Sequence, residues 1–287
     1  MKPFVSIFVV IGSLVSATPT SRDVVDTSYE MDETIRGSRP CAAVAVNFAR
    51  GTFDSGNIGV WVGPQFKEAL LENLGGDIAF QGVNPAQYPA VLDDYAKEGG
   101  SESCGTGLAK TVDAYAAKCP EAAIVVAGWS QGALCAHKAV NRIGKTAMKQ
   151  LKALVTFGDP NEISDNLSVP SSISFKNWCV DDTVSPDPLC TKTLTSGFKL
   201  PRTLEELQNL ILEPLRTLPD FATGVEQTKQ AAGLLPKMIK GLVKTSPYFL
   251  ADVLKGRVQR WMVLPQHFIY ANNGMAKEAA QWVAGQV

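Results

Sequence analysis

The stretch Ala123-Ile-Val-Val-Ala-Gly-Trp-Ser-Gln-Gly-Ala-Leu-Cys135 decides how this sequence is read. Its first half completes an apolar run from Ala122 to Trp129, the pattern of a strand buried on both faces of a parallel sheet. Its second half opens a helix-prone segment, Gln131 to Ile143. Between them, Gly128-Trp-Ser130-Gln-Gly132 fits G-x-S-x-G. Alone the pentapeptide is weak evidence; its place between a strand and a helix gives it meaning. A sharp strand-to-helix turn crowds the backbone, and small residues two before and two after the serine let the two elements approach. Such a turn pushes the Ser130 hydroxyl out at the carboxyl edge of the sheet. It also aims the Gln131 N–H, at the helix N-terminus, toward a developing oxyanion. The competing interpretation is an ordinary Gly-rich turn.

Outward from this stretch, strand and helix patterns alternate. Strands are expected at Ala42–Phe48, Asp77–Val83, Ala153–Phe157 and Ile173–Val180, and helices at Pro64–Leu74, Gly105–Ala117 and Ala276–Val283. That alternation predicts an α/β fold with a central parallel sheet and helices on its faces. The rhythm breaks between Cys190 and His267. Leu204, Leu207, Leu210, Ile211, Leu215 and Leu218 recur at helical spacing, with Pro214 expected to kink the run, and Ala231, Leu235, Met238 and Leu242 form a second stripe. From Phe221 to Arg260, seven Lys/Arg face only Glu226 and Asp252. Residues 191–262 therefore read as a basic, amphipathic, helical insertion.

The chain of 287 residues is 45% apolar with net charge −1, enough to bury a large core and without the basic run that nucleic-acid binding would need. Lys2, the apolar run Phe4–Val15 and the small residues to Ala17 read as a signal peptide over 1–17, and 18–40 as a poorly ordered polar lead-in or pro-segment before a domain at 41–287. Export makes disulfides the expected state of the six cysteines, and Asn166-Leu-Ser168 supplies a glycosylation sequon. No Cys/His cluster has zinc spacing, so structural zinc is not expected, and chemistry at a serine nucleophile needs neither metal nor cofactor.

A serine nucleophile needs a general base, and the chain has two histidines. His137 lies seven residues along the same predicted helix as Ser130, roughly 10 Å away at ~1.5 Å rise per residue, and reads as a helix-surface residue. His267, in Leu264-Pro-Gln-His-Phe268, follows all the strands, where the Ser, Asp/Glu, His order of α/β-hydrolases puts the base. For the carboxylate, Asp159, Asp181, Asp182 and Asp187 all stand near strand ends, and physics alone does not separate them.

Several of these residues together resemble fungal cutinases: Ala49-Arg-Gly-Thr52 followed by Asp54 and Gly56-Asn57, Cys119-Pro120 before the elbow strand, Gly-Trp-Ser-Gln-Gly with Trp129 where tyrosine is usual, Phe157-Gly-Asp-Pro160, and Pro-Gln-His267 with Tyr270. The resemblance covers about 41–190 and 263–286. It implies a cutinase-type α/β-hydrolase fold, and a secreted serine esterase with Ser130, Asp187 and His267 as its triad. Thr52 joins Gln131 in the oxyanion hole, and the implied bridges are Cys41–Cys119 and Cys179–Cys190. Cys104 and Cys135 have no counterpart; they either bridge each other or leave Cys135 a buried thiol. The implied partner is an ester substrate met by a monomer, first aliphatic polyesters of the cutin type, then acetylated xylan, then a lipid or small-metabolite ester. The insertion departs from the family, as an interfacial lid or as a subdomain packed beside the core. A non-catalytic secreted binding protein on the same scaffold is the reading from another class.

Overall fold

A computed structural model of the protein describes residues 24–164, 166–181, 185–192, 194 and 199–287; the expected signal segment and Asp182 lie outside the described residues. Strands β1 (Val44–Ala49), β2 (Ile78–Gly82), β3 (Ala123–Trp129), β4 (Leu151–Phe157) and β5 (Ser174–Trp178) form one sheet in the order β2-β1-β3-β4-β5. Every pairing is parallel. The apolar run that opens the argument is β3, the middle strand, buried along its length after Ala123. The helices are α1 (Glu30–Arg36), α2 (Gly63–Asn73), α3 (Leu92–Glu98), α4 (Glu102–Lys118), α5 (Gln131–Val140), α6 (Lys145–Met148), α7 (Leu204–Leu215), α8 (Val225–Leu254) and α9 (Met275–Ala284). Helices α4 and α5 pack one apolar layer on one face of the sheet, while α2, α9 and the helices of the insertion build the other. This is the expected α/β-hydrolase arrangement, covered on both faces as a parallel sheet must be.

The expectation of a poorly ordered lead-in is corrected from Val24 onward. β2 is an edge strand, and an open edge leaves a row of unpaired backbone groups. The segment before β1 covers it. Ser28 Oγ donates to the Phe80 carbonyl at 2.6 Å, the Phe80 N–H donates to the Glu30 carboxylate at 2.7 Å, and Tyr29 bridges Gln81 antiparallel. Met31 of α1 is fully buried below. Polar composition concealed this role, because these residues act through hydrogen bonds rather than through an apolar pattern.

All six cysteines are bridged: Cys41–Cys119, Cys179–Cys190, and Cys104–Cys135, which joins α4 to α5. The insertion is helical as expected. A capping box starts α7, with Thr203 accepting from the Glu206 N–H at 3.1 Å. Pro214 ends that helix rather than kinking it, since α7 stops one residue later. Among the described residues no helix is long and apolar enough to cross a membrane.

Candidate active site

Ser130 sits where β3 turns into α5, with φ +59°, a left-handed backbone that a non-glycine residue adopts only under constraint. The turn is held from the neighbouring strand, the Ser130 N–H donating to the Phe157 carbonyl at 3.0 Å. The two glycines are sterically required. A Cβ on Gly128 would stand 2.2 Å from the Gly132 carbonyl oxygen, and one on Gly132 would stand 2.0 Å from that of Ala49. The small residues flanking the serine thus permit the close approach that the sequence pattern implied.

His267, on a one-turn helix at Pro265–Phe268, is buried, and its Nδ1 lies 2.7 Å from Asp187 Oδ2. Asp187 is itself fully buried in the loop closed by Cys179–Cys190; its Oδ1 accepts the Leu189 N–H at 3.0 Å and its Oδ2 also accepts the Tyr270 hydroxyl. With its other donors fixed, this carboxylate takes the His267 Nδ1–H, which leaves Nε2 as the proton-accepting nitrogen. Nε2 is buried without a hydrogen-bond partner among the described residues. Burial and the adjoining Asp187 charge hold the Tyr270 hydroxyl well above its ordinary pKa, so it remains a donor. Trp129 fixes the far side of the imidazole: its Nε1–H donates to the His267 carbonyl at 3.0 Å, and the two rings stack 5.4 Å apart. Gly158 leaves room for the imidazole, since a Cβ there would come within 2.6 Å of His267 Cε1.

Two of the other three candidate carboxylates have partners of their own, and Asp182 lies outside the described residues. Asp181 accepts from the Thr191 hydroxyl at 2.7 Å. Asp159 Oδ2 lies 2.6 Å from His137 Nε2, and His137 is fully buried. The expectation of a surface histidine at 137 is therefore corrected: α5 lies between the sheet and other elements, and a polar ring on its inner side persists because Asp159 pairs with it. The pairing, with the Asn161 N–H donating to its Oδ1 at 3.0 Å, gives Asp159 of Phe157-Gly-Asp-Pro160 partners other than His267.

Thr52 follows β1 and meets α5 through the Gln131 side chain. With the amide oriented to satisfy its neighbours, Gln131 Oε1 accepts the Tyr95 N–H at 3.0 Å, and its nitrogen donates to the Val91 carbonyl at 3.3 Å and to Thr52 Oγ1 at 3.0 Å. That leaves the Thr52 hydroxyl proton available for another acceptor. The loop bearing Thr52 is supported by Asp54, whose carboxylate accepts the Ser55 and Val60 N–H groups at 3.0 and 2.9 Å. Complete burial pushes the Asp54 carboxyl up to about 7, against the pull of those donors and of Arg50. Folded Asp54 thus holds its proton more tightly than the unfolded chain does. Its contribution to stability is fully present below about pH 4 and is lost as pH rises through about 7. In urea melts between pH 4 and 8, Asp54→Asn is expected to gain on wild type as pH rises, by on the order of 4 kcal/mol at most. Parallel curves for the two proteins would contradict the assignment.

Thr52, Ser130 and His267 share one cavity with Leu92, Tyr95, Trp129, Leu189, Leu234, Met238, Val263 and Phe268. Its volume is about 30 Å³, room for one or two water molecules and no more. Leu234 and Met238 come from the middle of α8, so the insertion roofs the site. The apolar stripe noted in the sequence contained Met238 and Leu242, both buried; its Leu235 is only half-buried, and Leu234 takes the inward place.

With this geometry stands a match of residues 40–199, more than half of the chain, to the family described as Cutinase. The chain belongs to the cutinase family. This family member is 39% identical over 121 residues to a cutinase of Hypocrea jecorina, covering 42% of this chain and 47% of that protein. To Cutinase 4 of Emericella nidulans it is 36% identical over 173 residues, 60% and 65% of the two chains. It therefore spans about half to two thirds of the length of these curated relatives. Among solved structures, a Trichoderma reesei cutinase in complex with a C11Y4 phosphonate inhibitor aligns at 26% identity and TM-score 0.46, covering 75% of this cutinase-family chain and 80% of that one. An acetylxylan esterase aligns at 21% identity and TM-score 0.39, covering 49% and 84%.

Proposed function

We propose that this chain is a secreted serine ester hydrolase acting on aliphatic, cutin-type polyesters or lipid-like esters. The observation that carries the reading is His267, its Nδ1 held by buried Asp187 and its Nε2 without a partner among the described residues, lining one small cavity with Ser130. In the reaction, Ser130 Oγ attacks the ester carbonyl while His267 Nε2 takes its proton and then hands it to the departing alcohol. Asp187 keeps the imidazole in the correct tautomer and stabilises its charged form. The N–H groups of Thr52 and Gln131, with the Thr52 hydroxyl, receive the oxyanion. Water then enters, loses its proton to His267, and releases the acid from Ser130.

The lining favours an aliphatic acyl group over an acetylated sugar. Leu92, Leu189, Leu234, Met238, Val263 and Phe268 offer contacts to methylenes and few partners for sugar hydroxyls. A cavity of about 30 Å³ is too small for such a chain, so part of its lining gives way for turnover; in this reading it is α8, which supplies Leu234 and Met238, and the insertion works as a lid. Secretion is supported by the N-terminal apolar run and the three bridges, and Asn166, exposed on a loop, suits glycosylation.

The direct test is labelling with an alkyl phosphonate fluorophore. One equivalent should attach to the folded protein in the presence of detergent micelles, and none to the Ser130→Ala variant; absence of label from wild type under both closed and detergent-opened conditions would favour a non-catalytic scaffold. Tyr270→Phe tests the carboxylate's support. Losing a hydrogen bond to a buried charge should lower kcat on p-nitrophenyl butyrate roughly tenfold or more with little change in KM. A change in KM alone would assign Tyr270 to packing.

A further inference from the structure

Helix α8 carries a second apolar face that stays exposed among the described residues. At 100° per residue, Val225, Ile239, Val243, Pro247, Leu250 and Leu254 fall within an arc of about 80°. Every one is exposed: Val225 by 50%, Ile239 by 41%, Val243 by 57%, Leu250 by 51% and Leu254 by 89%, with Pro247 exposed between them. The stripe runs the length of a 30-residue helix, about 45 Å at 1.5 Å per residue. Along one edge of it lie Lys237, Lys240, Lys244 and Lys255. Lys244 pairs with Asp93 at 2.7 Å, whereas Lys237, Lys240 and Lys255 have no ion-pair partner among the described residues. The acids of this helix are Glu226, paired with Lys229, and Asp252, which is buried beside Arg257 and Arg260. The exposed stripe is therefore apolar from Ile239 to Leu254 with a basic margin beside it, and the Glu226–Lys229 ion pair interrupts it only near the start of the helix.

We propose that this outer face of α8 docks on an anionic lipid–water interface. Charge complementarity selects that occupant. A second copy of the chain laid antiparallel on the same stripe would bring the two lysine margins together, and laid parallel it would leave them unpaired, whereas an anionic lipid surface pairs them with headgroups while the apolar side chains enter the acyl boundary. The lysines also exclude spanning, so the helix lies on the surface rather than through it. On its far side the same helix presents Leu234 and Met238 to the cavity of Ser130, so docking acts on the element that roofs the site. Only the consequence for turnover rests on the esterase reading; docking does not.

The test therefore uses full-length protein bearing Ser130→Ala, so that hydrolysis plays no part. Sedimentation with vesicles of phosphatidylglycerol and phosphatidylcholine at low salt should carry the protein down, and pure phosphatidylcholine or high salt should not. Lys237→Gln, Lys240→Gln and Lys255→Gln together should weaken partitioning roughly 100-fold, at about 1 kcal/mol per lysine. Leu250→Ser with Leu254→Ser should weaken it without changing its salt dependence. These side chains are exposed, so thermal melts should confirm an unchanged fold. Three results would overturn the proposal: no partitioning, equal partitioning to neutral vesicles, or a dimer in sedimentation equilibrium that the leucine variants dissolve.

Discussion

Replacing Ser130 by alanine is expected to lower kcat/KM on p-nitrophenyl butyrate by about 10⁴-fold or more, with a melting temperature close to wild type. The loss is large because no other group on the cavity wall is paired with a general base: the Thr52 hydroxyl serves among the oxyanion donors, the Tyr95 hydroxyl donates to the Arg260 carbonyl, and most of the remaining lining is apolar. The fold should tolerate the change. The strained φ of +59° applies equally to alanine, and what permits the turn is the absence of side chains at Gly128 and Gly132. Asp187→Asn should cost a similar factor by a different route: an amide can donate to Nδ1 and so leave the proton on Nε2, where it blocks proton transfer from Ser130. Because the groups act as a unit, Ser130→Ala with His267→Ala should be no slower than Ser130→Ala alone. Additive losses, or more than about a hundredth of wild-type activity surviving in Ser130→Ala, would place the nucleophile elsewhere.

What the sequence could reveal depended on whether a feature writes itself into periodicity. β3 is buried on both faces and so reads as an unbroken apolar run, and the elbow is local, with its steric demands met by residues within two positions of Ser130. His267 followed by elimination, because a helix fixes the distance from Ser130 to His137. Elimination was silent about where His137 points. Its burial is decided by Asp159, 22 residues away, and no pattern on α5 marks that partner. Asp187 was likewise one of four carboxylates until the resemblance selected it. The hydrogen bonds from Tyr270 and His267 that distinguish it join segments about 80 residues apart, and only the one from Leu189 is local. The segment leading into α1 leaves no apolar pattern for a related reason: Ser28, Tyr29 and Glu30 cover a sheet edge, and edge cover needs hydrogen-bonding partners rather than apolar spacing. The insertion was legible as helical and basic, but its position over Ser130 is a tertiary fact. Two apolar faces on α8 give a sequence pattern too broad to say which one is buried.

Fastening that roof should silence the protein reversibly. A Cβ placed on Gly241 of α8 would lie 3.3 Å from the Cβ of Leu92 on α3, within a few tenths of an ångström of the separation a disulfide needs. Leu92→Cys with Gly241→Cys therefore offers a staple between the lid and the core, one turn from Met238. The background is clean, since all six native cysteines are already bridged. In the oxidised double variant, the cavity of about 30 Å³ stays closed, and turnover of both p-nitrophenyl butyrate and emulsified ester should fall by at least about 100-fold. Mild reductant should restore it to the level of the single Cys variants, with wild type under the same reductant as the control for the native bridges. Phosphonate labelling of Ser130 should follow the same pattern, which separates blocked access from damaged chemistry. Vesicle docking should survive the staple, because the outer face of α8 is unchanged by it. A stapled protein that turns over soluble ester at the wild-type rate would show that substrate reaches Ser130 without moving α8, and the insertion would then be a docking element and not a lid.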